Sequence, residues 1–221
     1  MGEEKFGISI NRLTLAEQVY IDIVDRIAKR ALISGEKIVI RQIQEEYKIS
    51  SSVARDTLNL LHHFGFVESF GNAGNRIVTA AIDEMEHVIE VYMHTSTIAV
   101  VLAFKHGQEQ LIEKLKDNYN EQLRCMKEDP AKCGRLHADF INLISDYCGN
   151  FIFPQIEDPL LGRMVVAFGY YENVYGTPET MADCENIIKA FEEGDEDGAI
   201  KLIQKQAEYL QKYLHAAETM V

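Results

Sequence analysis

The chain has 221 residues, with 22 Lys and Arg against 35 Asp and Glu, a formal net charge of −13 at pH 7 with histidines neutral. Apolar residues make up 47% and charged residues 26%, which excludes a disordered chain and leaves enough apolar surface for one large or two small cores. The four cysteines, Cys125, Cys133, Cys148 and Cys184, form no C-x-x-C pair and no small secreted framework, so reduced thiols in a cytoplasm are expected. No signal peptide is read in the first residues and no apolar run approaches the roughly 20 residues of a membrane span.

Thr14-Leu15-Ala16-Glu17 pairs a hydroxyl N-cap with a carboxylate three residues on, the capping box of a first helix. Ala16, Tyr20, Val24, Ile27 and Ala31 follow at spacings of three and four and predict its buried face, with an end near Ser34-Gly35. A short helix is expected around Arg41–Tyr47. Ser50, Ser51 and Ser52 can cap a third helix that buries Ala54, Leu58, Leu61 and Phe64 and stops at Gly65. Its opposite face carries Ser52, Arg55, Asn59 and His62, small or hydrogen-bonding groups suited to base edges and phosphates in a major groove. Two short strand-like runs, 66–70 and 76–80, flank the glycine-rich tip 71–75. Three helices and a hairpin are the plan of a winged helix-turn-helix. A helical module that binds protein through a solvated polar face has the same pattern.

The charge steps near residue 80. Residues 1–80 carry 10 basic and 10 acidic side chains, and residues 81–221 carry 12 and 25. A neutral reading module joined to an acidic one is compatible with DNA binding by the first part alone. The boundary is therefore set at residue 80, giving domains 1–80 and 81–221. The second half reads as six helices, at 83–104, 107–127, 131–148, 156–174, 178–193 and 196–216, with Pro159 in a first turn where proline is tolerated. Short connections predict an antiparallel bundle. The fold class expected is mainly α, a winged helix-turn-helix followed by an all-α bundle.

Residues 13–80 resemble the DNA-binding domain of the GntR family of bacterial transcription regulators. The resemblance rests on Gly35-Glu36-Lys37-Ile38, on Ile49-Ser50-Ser51-Ser52-Val53-Ala54-Arg55-Asp56-Thr57-Leu58-Asn59-Leu60-Leu61, on Gly65-Phe66-Val67 and on Gly74-Asn75-Arg76-Ile77-Val78. Val53 stands where the family usually has proline, and Ser51 where it often has arginine. The resemblance implies that Arg55 holds DNA. Ser50, Ser51, Ser52 and Asn59 are read as its helpers, Arg41 as a backbone contact, and Asn75 and Arg76 as contacts of the wing.

The order of this module and a helical bundle is similar to the FadR subgroup, whose effector domain is called FCD. Ile187-Ile188-Lys189-Ala190-Phe191-Glu192-Glu193-Gly194-Asp195 followed by Ala199, and Asn150 after Gly149, carry that likeness. The subgroup often holds a divalent metal through one Asp and three His. Counted from those anchors, the four positions fall on His137, Ile141, Cys184 and Gln206. Isoleucine has no lone pair to give and glutamine is a poor ligand for zinc or nickel, so no metal and no cofactor are expected. His137 and Gln206 remain polar groups on apolar stripes. The resemblance implies that they line an effector cavity with Ile141, Cys184 and Tyr92, and Tyr147, Tyr170, Tyr171 and Tyr175 are candidates for an aromatic wall or for the core alone.

The acidic run 192–197 lacks calcium-loop spacing and reads as an interhelix turn. No P-loop, G-x-S-x-G, H-E-x-x-H or dinucleotide fingerprint is present, so no enzyme is expected. The reading that follows is a cytoplasmic, ligand-responsive repressor. It would bind double-stranded DNA as a homodimer, take a small-molecule effector and have no membrane partner. A helical adaptor whose winged module no longer binds DNA is the alternative.

Overall fold

The computed structural model describes residues 13–71, 74–79, 81–107, 109–126, 128, 130–169 and 177–218. Helix α1 (Leu15–Ala28) opens on the capping box: Thr14 Oγ1 accepts from Glu17 N at 3.2 Å, and Glu17 Oε2 accepts from Thr14 N at 2.6 Å. It ends sooner than the sequence pattern suggests, with Lys29 as C-cap and Arg30 turned to φ +58°. Its buried face is also rotated, to Ala16, Val19, Ile23, Ile27 and Ala28. The reason is that α1 carries two apolar stripes. Val19 and Ile23 enter the local core, while Tyr20 and Val24 line a cleft against the bundle and Ala31 is exposed.

Strand β1 (Lys37–Ile38), α2 (Ile40–Tyr47) and α3 (Ser51–His63) follow. Ser50 Oγ accepts from Val53 N at 3.3 Å and starts α3, and Gly65, at φ +75°, lies just past its end. The helix buries Ala54, Leu58 and Leu61 as its spacing predicts, whereas Phe64 is half-buried. It also buries Thr57, whose hydroxyl donates to the Val53 carbonyl at 3.0 Å and the Ala16 carbonyl at 3.3 Å. That answers the cost of placing a polar group in a core.

Strands β2 (Val67–Ser69) and β3 (Asn75–Ile77) pair antiparallel, Val67 opposite Ile77 and Ser69 opposite Asn75. Both are shorter than the runs read from sequence, and the tip at 72–73 lies outside the described residues. The sheet has a third strand that the pattern did not reveal: β1 pairs with the other edge of β3, in the order β1-β3-β2. Two residues are too few to leave an alternation signal.

The second half contains α4 (Ile82–His106), α5 (Glu109–Cys125), α6 (Pro130–Asp146), α7 (Pro154–Phe168), α8 (Pro178–Glu193) and α9 (Glu196–Glu218). These are the six helices expected. Helix α8 opens on a second capping box at Thr177, with Pro178 in its first turn. In α7 it is Pro154 that occupies the first turn, so Pro159 lies inside the helix, contrary to the sequence reading. The same helix stops at Phe168, capped by Gly169 at φ +66°; Tyr170, Tyr171 and Tyr175 lie outside the described residues. Helix α4 is long and apolar enough over Asp83–His106 to cross a bilayer by composition, a feature the sequence reading missed. Instead it packs on α9, α7 and α6 as the central helix of the bundle.

Apolar side chains gather in two clusters. One is built from α1, α2, α3 and the sheet, and the other from α4 to α9. Helix α7 serves both, with Val166 in the first cluster and Met164 in the second. Its backbone runs close under the first cluster. A Cβ on Gly162 would meet the Phe64 carbonyl, one on Gly65 the Pro159 carbonyl, and one on Gly169 the Ala28 oxygen. Arg163 adds an ion pair with Glu84 and a longer one with Glu68 at 3.8 Å. All four cysteines are buried free thiols.

Candidate functional site

Helix α3 has one buried side and one open side. Ser51, Ser52, Arg55 and Asn59 are exposed along the open side, and His62 is half-buried. The Ser50 oxygen is used as the cap acceptor, which leaves its hydroxyl proton for another partner. Among the described residues, no carboxylate holds Arg55. A cation one turn into a helix, beside two serines and with an amide at i+4, is a chemically apt surface for phosphate and base edges.

The other basic candidates are engaged. Arg41, well exposed on α2, pairs with Glu45 one turn on at 2.7 Å. Arg76 pairs with Glu68 across the β2–β3 ladder at 2.8 Å and lies 4.0 Å over the Phe70 ring. Asn75 Oδ1 faces His62 Nε2 at 2.9 Å, which fastens the hairpin to α3. The structure therefore brings Ser50, Ser51, Ser52, Arg55 and Asn59 together, ties Asn75 to their helix, and holds Arg41 and Arg76 in local ion pairs.

In the bundle, His137, Ile141, Cys184 and Gln206 converge from α6, α8 and α9, and all are buried. Tyr92, on α4, is buried as well. His137 Nε2 lies 3.0 Å from Gln206 Oε1, and Cys184 Sγ lies 3.4 Å from His137 Nδ1. Gln206 Nε2 in turn donates to Asp183 Oδ2 at 3.4 Å. Asp183 also accepts from Lys205 at 2.9 Å and from the Tyr209 hydroxyl at 2.9 Å.

The carboxylate fixes the polarity of this chain. It only accepts, so it turns the Gln206 amide NH₂ toward itself and the amide oxygen toward His137. His137 must then donate from Nε2, its Nδ1 holds the lone pair, and Cys184 donates S–H to it. Burial lowers the His137 pKa to about 4 and keeps the ring neutral, with the Gln206 and Asp183 interactions opposing that shift. Burial also pushes the Cys184 thiol up, and nearby Asp183 adds to this, so the sulfur keeps the proton it donates.

A divalent metal does not fit these residues. The imidazole lone pair is taken by a thiol, its other nitrogen bears a proton, the thiol resists ionisation, and Ile141 offers nothing. Among the described residues, no group of three His, Cys, Asp or Glu side chains converges as a metal site would require. Asp183, Lys205 and Tyr209 were missed from the sequence. Asp183 sits one position before the residue counted as a ligand, and only the packing of α8 on α9 brings it to Gln206.

A protein-family model, the FCD domain, matches residues 97–208, just over half of the chain. The chain belongs to the FCD-domain family. This span contains four of the five bundle positions described above. A search of curated sequences returns no match. Among solved structures, Escherichia coli McbR/YncC is similar over 94% of this chain and 100% of its own, at 16% identity and a TM-score of 0.77. Lar, which controls the expression of the Listeria monocytogenes agr system, is similar over 93% and 98%, at 21% identity and a TM-score of 0.62. A protein assigned as a transcriptional regulator GntR from Rhodococcus sp. RHA1 is similar over 93% and 96%, at 14% identity and a TM-score of 0.58. At these identities the likeness concerns the fold, which this FCD-family chain shares with the three solved proteins.

Proposed function

We propose that this FCD-family protein is a ligand-responsive transcription regulator of GntR type and FadR subgroup, acting as a cytoplasmic repressor. Residues 1–80 form a winged helix-turn-helix reading head, and residues 81–221 form the effector-binding and dimerisation domain. The observation that carries this reading is the open face of α3, where Ser51, Ser52, Arg55 and Asn59 are exposed on a helix whose other side is buried. The charge distribution supports it, since the head is neutral overall while the excess of acid lies in the bundle.

Dimerisation is supported by α4, where Val91, Ile98 and Val101 fall on one stripe and are 48%, 50% and 39% exposed. An apolar ridge of this kind on a helix central to the bundle suits burial against a second copy. Paired heads would then meet two operator half-sites one helical turn apart. The effector position is the buried chain of His137, Gln206 and Cys184 with Ile141 and Tyr92. An apolar or aromatic ligand there would gain the most by offering groups that replace one link of the chain, and so would favour one arrangement of the bundle over another.

The test is a titration of the protein with operator DNA over a range of salt. The expected result is binding that weakens steeply as salt rises, with Arg55→Ala costing about 1–3 kcal/mol. DNA affinity that does not change with Arg55→Ala or with salt would overturn the reading and favour the helical adaptor.

A further inference from the structure

Where the first eighty residues meet the bundle there is a cleft of about 500 Å³, within the size range of small-molecule sites. One wall is aromatic. Tyr20 of α1 lies 5.3 Å from Phe64 and 6.0 Å from Phe66 by ring centroid, the latter edge-on. The facing wall belongs to α6 and α7 and presents Asp139, Asn142 and Asp158. Asn142 Oδ1 is buried and, among the described residues, accepts no hydrogen bond. A buried acceptor left unmatched costs the fold, and a donor brought in by a ligand removes that cost.

The two carboxylates make the cleft acidic. Partial loss of hydration raises both carboxyls above the usual range, although Asp139 stays open to solvent, and the charge of nearby Asp146 adds to this. Arg135 also lines the cleft and pulls Asp139 the other way, but its guanidinium is shared with Asp25 at 3.5 Å. His63 does the same to Asp158. Positive charge placed in the cleft therefore meets two carboxylates that Arg135 and His63 offset only in part, beside an aromatic wall.

We propose that this cleft is a second ligand site, for a small organic cation with an aromatic or apolar body and at least one N–H donor. The body packs on Tyr20, Phe64 and Phe66, the charge sits by Asp139 and Asp158, and the N–H reaches Asn142 once its amide turns to bring the buried Oδ1 to the cleft. One wall belongs to the head and the other to the bundle, so the ligand binds more tightly when the two are seated together and biases the molecule toward that placement. The inference does not depend on DNA binding or on an effector at His137.

Tryptamine is a suitable probe, an indole bearing an ammonium group. The chain contains no tryptophan, so indole emission reports the probe without background. The expected result is saturable binding of tryptamine and none of indole-3-propionate, which has the same ring and the opposite charge. Replacing Asp139→Asn and Asp158→Asn together weakens tryptamine at least about tenfold, while Glu208→Gln, an exposed carboxylate of α9, leaves it unchanged. Unfolding curves of the paired variant establish that it remains folded. The proposal is overturned if tryptamine does not saturate, if indole-3-propionate binds as well, if the paired variant keeps full affinity, or if Glu208→Gln weakens binding as much as the paired variant does.

Discussion

Gly162→Ala sets two known effects against each other. In an open helix, alanine in place of an interior glycine stabilises by about 0.5–1 kcal/mol because it restricts the unfolded chain. Gly162, however, faces the backbone of the head across α7. A Cβ built there overlaps the Phe64 carbonyl oxygen and stands 2.9 Å from its carbon and 3.1 Å from the Gly65 carbonyl carbon, whereas ordinary contact begins at 3.4 Å. The obstacles are backbone atoms at the end of α3, which cannot rotate away as a side chain would. The head must retreat from α7 by roughly an ångström or more, an overpacking that costs about 1–3 kcal/mol. The net expectation is a loss of about 1–2 kcal/mol, read as a lower urea midpoint with an unchanged m-value. The seating at Gly65 over Pro159 and Gly169 beside Ala28 would loosen with it. A gain in stability from Gly162→Ala would refute the reasoning, because it would mean that the head does not rest on α7.

Three further outcomes follow from the buried polar groups. The His137 ring, with a pKa lowered from 6.5 to about 4, binds its proton less readily folded than unfolded. Its contribution, about 3 kcal/mol at most, is therefore present above pH 6.5 and is lost as pH falls toward 4. NMR of the imidazole should show a neutral ring down to the low end of that window, and titration near 6.5 would contradict it. Glu157 is buried on α7 and accepts from Ser96 at 2.9 Å, and burial raises its carboxyl above the usual range. The protonated form is thus favoured on folding, and stability is lost as pH rises through the folded pKa. Glu157→Gln, which keeps an acceptor for Ser96, should be more stable than the parent at neutral pH and converge with it below pH 4.5; lower stability at neutral pH would count against this account. Elemental analysis of protein purified without added metal should find no near-stoichiometric zinc or nickel. Such metal, lost with His137→Ala, would mean that the thiol–imidazole–amide chain is not the resting arrangement.

Much of this was legible along the chain because it is encoded by near neighbours. The capping box at Thr14, the hydroxyl cap at Ser50, the stop at Gly65 and the six helices of the second half all depend on contacts three or four residues apart. The open face of α3 is legible for the same reason, since Ser52, Arg55 and Asn59 share a side by helical spacing alone. His137 and Gln206 stood out as polar groups on apolar stripes, which identified them as buried but not what satisfied them.

The rest was decided by tertiary packing. Ala16, Tyr20, Val24 and Ile27 satisfy helical spacing as well as the true buried set does, and α1 shows its rotation only once α6 and α7 lie beside it. Strand β1 exists because β3 has an edge to complete. The sequence by itself determined that these helices exist, where α1, α3 and α8 begin and which residues α3 displays, because propensity, capping and periodicity act over a single turn. Only the tertiary structure decided that His137, Gln206, Asp183 and Cys184 form one hydrogen-bonded chain with a fixed direction, and that a cleft opens between head and bundle. Both rest on meetings between helices tens of residues apart, where distance and burial rather than spacing set the chemistry.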